Sequence, residues 1–102
     1  MSVVMAVFDG APWVRAAVES LLSQTLADLE VVVVDDGSTD ATPDVLAALD
    51  DPRLRVERRP HQGLTRSLVR ALELARAPLV GRLDADDLAL PERLERQRRY
   101  LD

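Results

Sequence analysis

Acidic residues follow two short apolar runs in this sequence, once in the stretch VVVVDD and again in the stretch LDADD. Carboxylates this close together repel one another unless a cation compensates their charge. Mg²⁺ and Mn²⁺ suit such positions because they prefer oxygen ligands, usually one or two carboxylates together with phosphate oxygens and water. Asp84 and Asp86 supply ligands of this type. The two stretches therefore indicate a binding site for a divalent cation that bridges the protein to a diphosphate.

Both acidic stretches also have a purely structural interpretation. Asp86 and Asp87 fit a polar turn ahead of a helix, where acidic side chains complement the helix dipole. In DDGSTD, Asp, Gly and Ser are turn formers, and Asp40 or Thr42 fits the cap of the following helix. On the functional interpretation, Asp36 accepts hydrogen bonds from the ring N–H or hydroxyl groups of a ligand. Each motif alone is weak, so the elements that position the two stretches decide between the interpretations.

Four short stretches predict the strands of a sheet. Val3–Val7, Val31–Val34 and Leu79–Leu83 are apolar and rich in β-branched residues, as is typical of parallel strands covered on both faces. Leu54–Glu57 alternates apolar and charged residues instead, which favours a strand at the edge of the sheet.

Helical patterns separate these strands. Thr42 followed by Pro43 predicts an N-cap with proline at the first helical position, and the helix is expected to continue through about Leu49. Pro91 begins a last helix in the same way. Apolar stripes with helical spacing indicate two further helices, the first through Val14, Val18, Leu21 and Leu22 and the second through Leu64, Leu68, Leu72 and Ala75.

The order of these elements is β-α-β-α-β-α-β-α, which predicts an α/β fold with a doubly wound, mainly parallel, Rossmann-like sheet and alternating helices. At 102 residues the chain has the size of one ordinary domain, and no internal repeat or linker divides it, so residues 1–102 are predicted to form a single unit. In such sheets ligands bind beyond the carboxyl ends of the strands. Both acidic stretches fall at that rim and can converge on one ligand.

Composition and charge exclude several other classes. Apolar residues make up 47% of the chain and charged residues 30%, which favours a globular fold over disorder. The net charge of -5 argues against binding to nucleic acid, which depends on clustered cationic charge. All 13 basic residues are Arg, so Walker, Schiff-base and receiver-domain lysines are excluded, and the absence of Cys excludes disulfides and thiolate zinc sites.

The sequence also contains no apolar run of membrane-spanning length and no basic signal-peptide region. These features predict a cytoplasmic protein. The arginines of residues 93–99 are expected to form a solvated helix face, with peripheral attachment at the inner face of the membrane as an alternative.

Three stretches taken in order resemble a known family: SVVMAVFDGAPWVRAAVESLLSQTLADLEVVVVDDGSTDATPDVL, HQGLTRSL and GRLDADDLALPERLERQ. They are similar to the nucleotide-binding half of a family 2 glycosyltransferase with the GT-A fold. The resemblance covers essentially the whole chain, and the combination of VVVVDDGSTD with LDADD is specific where either alone is not. It implies transfer of a sugar from a nucleoside diphosphate sugar, commonly a UDP-sugar, to an acceptor hydroxyl with inversion, assisted by Mn²⁺ or Mg²⁺. The acceptor class stays open between glycan, lipid and protein.

The resemblance also implies which residues bind the donor. The family's usual P-x-Y-N segment corresponds to Ala6, Phe8 and Asp9, where Ala replaces Pro, Phe replaces Tyr and Asp replaces Asn. These positions would border the nucleotide. Asp36 matches the carboxylate that contacts the base, commonly uracil, and Asp35 is its more structural neighbour.

The LDADD stretch matches the D-x-D motif of the family. Asp84 and Asp86 would bind the nucleotide sugar, with Asp86 near the ribose or the metal. Asp86 and Asp87 are alternative direct ligands of the metal. Arg66 or Arg82 is the candidate to neutralise the diphosphate, because guanidinium groups suit phosphate oxygens.

In this family the general base and most acceptor contacts lie well downstream of D-x-D. Because the sequence ends soon after that motif, we expect residues 1–102 to be the donor-binding domain of a longer enzyme, with the catalytic base beyond the chain end. Two alternatives stay open: a noncatalytic nucleotide-binding or interaction fragment, and a nucleotidyltransferase-like domain, which the lack of a glycine-rich phosphate loop near the first strand disfavours. Near the same rim, Trp13 is predicted to be a packing residue and His61 an exposed loop residue.

Without the later strands of the fold, the fourth strand has an unpaired edge, and such edges invite pairing with another chain. We therefore expect the chain to self-associate through this edge. Light scattering over a range of protein concentrations tests this, and a strictly monomeric species at high concentration would count against it.

Overall fold

The computed structural model describes residues 1–24 and 28–84. Within these residues, strands and helices alternate as the sequence predicts, and the helix predicted to begin at Pro91 lies outside them. The elements are β1 (Ser2–Val7), α1 (Ala11–Leu22), β2 (Glu30–Asp35), α2 (Thr42–Ala47), β3 (Leu54–Arg58), α3 (Leu64–Leu74) and β4 (Val80–Arg82).

The four strands form one parallel sheet in the order β3-β2-β1-β4. The predicted α/β fold with a parallel, Rossmann-like sheet is therefore confirmed. β3 lies at an edge, as its alternating pattern predicts, and β4 lies at the other edge of the described sheet. Because all strands run in the same direction, their carboxyl ends meet at one rim, where Asp35 is paired with Val7.

Helices cover both faces of the sheet. Along β1, Val3, Met5 and Val7 belong to a buried cluster with α1 and α2, whereas Val4 lies in a second buried cluster with Ala71 of α3. This alternation follows from the two-residue period of a strand. Burying one such side chain contributes about 1.5–3 kcal/mol relative to leaving it exposed, so the apolar runs of β1 and β2 form the centre of both clusters.

α1 is amphipathic, and its predicted stripe is confirmed. Val14, Val18 and Leu21 are buried, and Leu22 packs against the same cluster. Pro12 lies in the first turn, where the missing amide hydrogen costs no helical hydrogen bond. In the described part of the chain, no helix combines the length and the apolar character needed to cross a bilayer.

The stripe predicted for α3 is correct only in part: Leu68 and Ala75 pack against the second buried cluster, but the other two members do not. Leu64 and Leu72 are 52% and 48% exposed, whereas Ser67 and Ala71 are fully buried. The reason is a polar contact, since the Ser67 hydroxyl donates a 2.9 Å hydrogen bond to the buried Asp36 carboxylate. This bond turns Ser67 toward the sheet, together with Ala71 on the same helical face.

The start of α2 also differs from the prediction. Ala41 is the N-cap residue, Thr42 is the first helical residue, and the helix ends at Ala47, earlier than expected. The buried Thr42 hydroxyl donates a 2.5 Å hydrogen bond to the Asp40 carboxylate and accepts one of 3.0 Å from the Gly10 amide. The hydroxyl therefore joins two loops and does not cap its own helix.

Glu30 connects the beginning of β2 to β3 and to the segment after α3. Its carboxylate accepts hydrogen bonds from Arg55 Nη1 (2.7 Å), from the Ser2 hydroxyl (2.7 Å) and from the Arg76 amide (3.1 Å). Burial raises the pKa of Glu30, but the hydrogen bonds to its carboxylate outweigh burial, so the pKa lies below its ordinary value. The fold therefore favours the ionised form of this side chain.

Glu30→Ala is expected to lower the free energy of unfolding by about 1–3 kcal/mol, because three donors lose their acceptor. The lowered pKa gives this contribution a defined pH dependence. It is fully present above the pKa of an unfolded glutamate, about 4.3, and it is lost as the pH falls through the lower folded-state value. Urea unfolding followed by circular dichroism at several pH values measures it.

Glu19→Ala is the matched control for this experiment. Glu19 forms a 2.9 Å ion pair with Arg15 on the exposed face of α1, and surface pairs of this kind contribute at most about 1 kcal/mol. Equal losses of stability in the two variants would contradict the role assigned to Glu30.

Candidate functional site

A cleft of about 520 Å³ opens at the rim where the strands end. Its walls are the end of β1 with the start of α1, the first turns of α3, and the end of β4. The side chains that line it are mainly apolar, with one pair of opposite charges. They include Ala6, Phe8, Trp13, Leu64, Thr65, Leu68, Arg82 and Asp84.

Several residues predicted from the sequence lie in this cleft. Ala6 and Phe8 line it from β1, and Asp84 lines it from the end of β4. Of the two candidate arginines, Arg82 lines the cleft, whereas Arg66 is exposed on α3 and does not. The cleft thus brings together the end of the first strand and the start of the acidic LDADD stretch.

Other predicted residues lie elsewhere. Asp9 and Asp36 do not line the cleft, and both bind neighbouring loops with their carboxylates. The predicted metal ligands Asp86 and Asp87 lie outside the described residues. Across residues 1–24 and 28–84, no three acidic or histidine side chains converge as they would around a metal ion.

Arg82 and Asp84 form an ion pair on the wall of the cleft. Arg82 Nη2 lies 3.1 Å from Asp84 Oδ1, and both side chains are more than half exposed. Such exposed pairs contribute little to stability, because water screens them and ordering two mobile side chains costs entropy. Either side chain can therefore leave this ion pair and bind a ligand at a small cost in free energy.

Asp84 fits a hard divalent cation. Its carboxylate oxygens are accessible at the cleft, and oxygen is the ligand that Mn²⁺ and Mg²⁺ prefer. The Arg82 guanidinium lies beside this carboxylate, so a cation that binds Asp84 would displace the guanidinium from it.

Asp9 locks the loop after β1 to the loop after β2. Its backbone has the left-handed φ of 50°, a conformation that Asp and Asn tolerate better than most residues. The Asp9 carboxylate accepts hydrogen bonds from the amides of Thr39 (2.7 Å) and Asp40 (3.3 Å), and its own amide donates to the Ser38 hydroxyl (2.9 Å). Asp9 therefore shapes the rim beside the cleft.

The start of α1 is bound to the same loop. The Gly10 amide donates to the Thr42 hydroxyl (3.0 Å), and the Ala11 amide donates to the Asp40 carboxylate (3.2 Å). In dinucleotide-binding folds the amides at this helix end bind phosphate. Here protein acceptors engage these two amides, in agreement with the absence of a glycine-rich phosphate loop from the sequence.

Asp36 is fully buried. Its carboxylate accepts hydrogen bonds from the amides of Gln62 (2.9 Å) and Gly63 (3.1 Å) and from the Ser67 hydroxyl (2.9 Å). Burial raises the pKa of Asp36, but these hydrogen bonds outweigh burial, and the pKa lies below its ordinary value. Asp36 is an ionised group that fixes the loop before α3.

The sequence does not predict the contacts that His61 makes with Asp36 and Phe8. As predicted, the imidazole is exposed, at 59%, but its Nδ1 also lies 3.0 Å from Asp36 Oδ2. The ring packs against Phe8 with a centroid separation of 4.3 Å. Neither contact has a sequence signature, because Phe8 and His61 follow different strands and meet only through the sheet.

The place of Trp13 differs from the prediction. The sequence predicts a packing residue at this position of the rim, but Trp13 is 55% exposed and lines the cleft. Its helix packs on the sheet through Val14, Val18 and Leu21, and this orientation leaves position 13 facing outward at the rim.

The chain matches the family model described as Glycosyl transferase family 2 over residues 2–102. It is 34% identical over 97 residues to a chondroitin synthase of Pasteurella multocida, covering 93% of this chain and 10% of that protein. The chain therefore spans about a tenth of this relative's length.

Solved structures show the same similarity. TarS of S. aureus, residues 1–349, in complex with UDP-GlcNAc superimposes with a TM-score of 0.91 at 27% identity, covering 99% of this chain and 30% of that one. A mannosyltransferase of Pyrobaculum calidifontis in complex with GDP-Man and Mn²⁺ gives a TM-score of 0.89 at 29% identity, covering 98% and 31%.

Two glycines beside Asp36 lead to a prediction about the rim. Gly37 has φ 72° and Gly63 has φ 102°, so alanine at either position is strained by about 1–3 kcal/mol. A Cβ at Gly37 would also lie 2.5 Å from the backbone nitrogen of His61, whereas a Cβ at Gly63 would meet nothing within 4 Å. Gly37→Ala is therefore expected to destabilise the chain more than Gly63→Ala.

Urea unfolding compares the two variants. Because the chain contains one His, the imidazole NMR signals report directly on its contact with Asp36. They are expected to shift more in Gly37→Ala than in Gly63→Ala. Equal stability and equal shifts in the two variants would show that the close approach of residues 37 and 61 is unimportant.

Proposed function

Since the chain belongs to glycosyl transferase family 2, we propose that residues 1–102 form the donor-binding domain of a glycosyltransferase. The reaction proposed is transfer of a sugar from a nucleoside diphosphate sugar, UDP-linked by preference, to an acceptor hydroxyl with inversion at the anomeric carbon. The observation that carries this proposal is the cleft, which combines the end of β1 with the Arg82–Asp84 pair at the rim where α/β sheets bind ligands.

The complexes of TarS with UDP-GlcNAc and of the mannosyltransferase with GDP-Man and Mn²⁺ support the class of ligand. In the proposed arrangement the nucleotide borders Ala6 and Phe8, and the diphosphate extends toward β4. The mainly apolar walls of the cleft offer surface against which the donor can pack.

Breaking the bond between the anomeric carbon and the diphosphate leaves negative charge on the departing group. The Arg82 guanidinium is proposed to neutralise part of this charge, exchanging Asp84 for phosphate oxygens. Asp84, with Asp86 or Asp87, is proposed to hold the divalent metal. When bound, a metal at this position supplies Lewis-acid stabilisation of the leaving diphosphate.

Asp9 and Asp36 are proposed to have structural roles. Asp9 keeps the loops beside the nucleotide in place, and Asp36 fixes the loop that carries His61. Neither carboxylate is proposed as the general base, because both are engaged by hydrogen-bond donors of the protein, and Asp36 is fully buried as well.

Calorimetric titration of UDP, GDP and ADP with and without Mn²⁺ tests the proposal. Metal-dependent binding of UDP is expected, and Asp84→Asn and Asp86→Asn are each expected to weaken it about tenfold, the loss of one charge-assisted contact. Arg82→Ala is expected to weaken UDP binding more than uridine binding, because only UDP carries the diphosphate.

Arg15→Ala is the matched control, since Arg15 is an equally exposed arginine that forms an ion pair on the surface of α1. It is expected to leave nucleotide affinity unchanged. A folded chain that binds none of the nucleotides at millimolar concentration, or binds them with the same affinity in all variants, would overturn the proposed function.

A further inference from the structure

The burial of Asp36 determines which side chains near it a ligand can contact. Its carboxylate has no exposed surface, so a nucleobase at this rim cannot touch it in this conformation. Among its donors, the amides of Gln62 and Gly63 belong to the backbone, and the Ser67 hydroxyl is buried. His61 is the donor whose side chain is largely exposed. A ligand can therefore contact the imidazole that Asp36 binds, although it cannot contact Asp36 itself.

The surroundings of His61 determine where its proton lies. Nδ1 is 3.0 Å from the Asp36 carboxylate and 3.1 Å from the Asp36 backbone carbonyl. Both neighbours are acceptors, so Nδ1 must carry the hydrogen. In the neutral imidazole this leaves Nε2 without a proton, and it presents a hydrogen-bond acceptor.

His61 does not itself line the cleft, but its ring contacts a residue that does. Phe8, which lines the cleft, packs against the imidazole with its plane tilted by 35°. The backbone of residue 61 lies against Gly37, where no side chain intervenes. Contacts with Phe8, Gly37 and Asp36 therefore fix both the position and the orientation of the ring before any ligand arrives.

We propose that His61 is a specificity-determining residue that recognises the nucleobase, with Nε2 accepting the ring N–H of the base. Uracil N3 and guanine N1 carry this hydrogen, whereas cytosine N3 and adenine N1 are acceptors that would face Nε2 unfavourably. Asp36 acts through His61 by fixing its tautomer. The inference rests on the proposed function, because it requires a nucleoside diphosphate in the cleft.

UDP and CDP are the sharpest pair of probes, since the two pyrimidines have the same size and differ at N3 and the adjoining C4 substituent. Calorimetry with Mn²⁺ is expected to give about tenfold tighter binding of UDP than of CDP, the cost of leaving one polar pair unsatisfied. His61→Phe keeps a ring against Phe8 but removes both nitrogens. It is expected to reduce the affinity for UDP to that for CDP.

Gln62→Ala is the control, because Gln62 contacts Asp36 through its backbone amide, which the substitution retains. It is expected to keep the preference for UDP. N3-methyl-UDP supplies a complementary probe: the wild type should bind it about tenfold more weakly than UDP, and His61→Phe should bind both alike. Thermal unfolding establishes that each variant is folded.

The imidazole NMR signals test the tautomer in the unaltered chain. Long-range ¹H–¹⁵N spectra of the one His are expected to show a protonated Nδ1 and an Nε2 resonance that shifts with UDP and not with CDP. An Nε2–H tautomer, equal binding of UDP and CDP by the wild type, or a preference for UDP that survives in His61→Phe would overturn the inference.

The same experiments separate the inference from the proposed function. If UDP binds in a metal-dependent way without these effects, the inference fails and the proposed function stands. If no nucleoside diphosphate binds, the proposed function fails and the inference fails with it.

Discussion

The buried carboxylate of Asp36 is the interaction on which the arrangement of the rim depends. Ionised groups are costly to bury unless hydrogen bonds replace their water. Asp36 meets this requirement by binding two consecutive amides before α3 and the Ser67 hydroxyl inside it. The end of β2 is thereby connected to the loop and helix that follow β3. Asp36 therefore positions α3, and with it one wall of the cleft, together with the apolar packing of Leu68 and Ala71 on the sheet.

Much of the fold could be predicted from the sequence because its determinants are local. The valine runs favour buried strands whatever surrounds them, and the alternation of Leu54–Glu57 matches the edge position of β3. The rotation of α3 could not be predicted in this way. Of its leucine stripe Leu68 packs on the sheet, but Leu64 and Leu72 are exposed. The fully buried positions are Ala71 and Ser67, whose hydroxyl is bonded to Asp36. A contact between distant residues overrides the local pattern.

The candidate site was also only partly predictable from the sequence. Parallel strands place their carboxyl ends at one rim, so the sequence could predict that Phe8 and Asp84 would lie near one another, as the cleft shows. It could not separate aspartates that face the cleft from those that hold loops. Asp9 lies two residues after the end of its strand, in a left-handed conformation, and binds the turn at Thr39. That geometry depends on the facing loop, which no motif within β1 encodes.

The place of β1 in the sheet has a consequence for how the chain folds. β1 precedes every other strand in the sequence, yet it lies between β2 and β4, and its Ser2 is paired with Val80. Pairings between such distant residues require a large loss of chain entropy before they gain contacts, and they slow folding. Until β4 arrives, one edge of a strongly apolar strand stays open to other chains. Slow completion of the sheet, and a dependence of the refolding yield on protein concentration, are therefore inherent in this strand order.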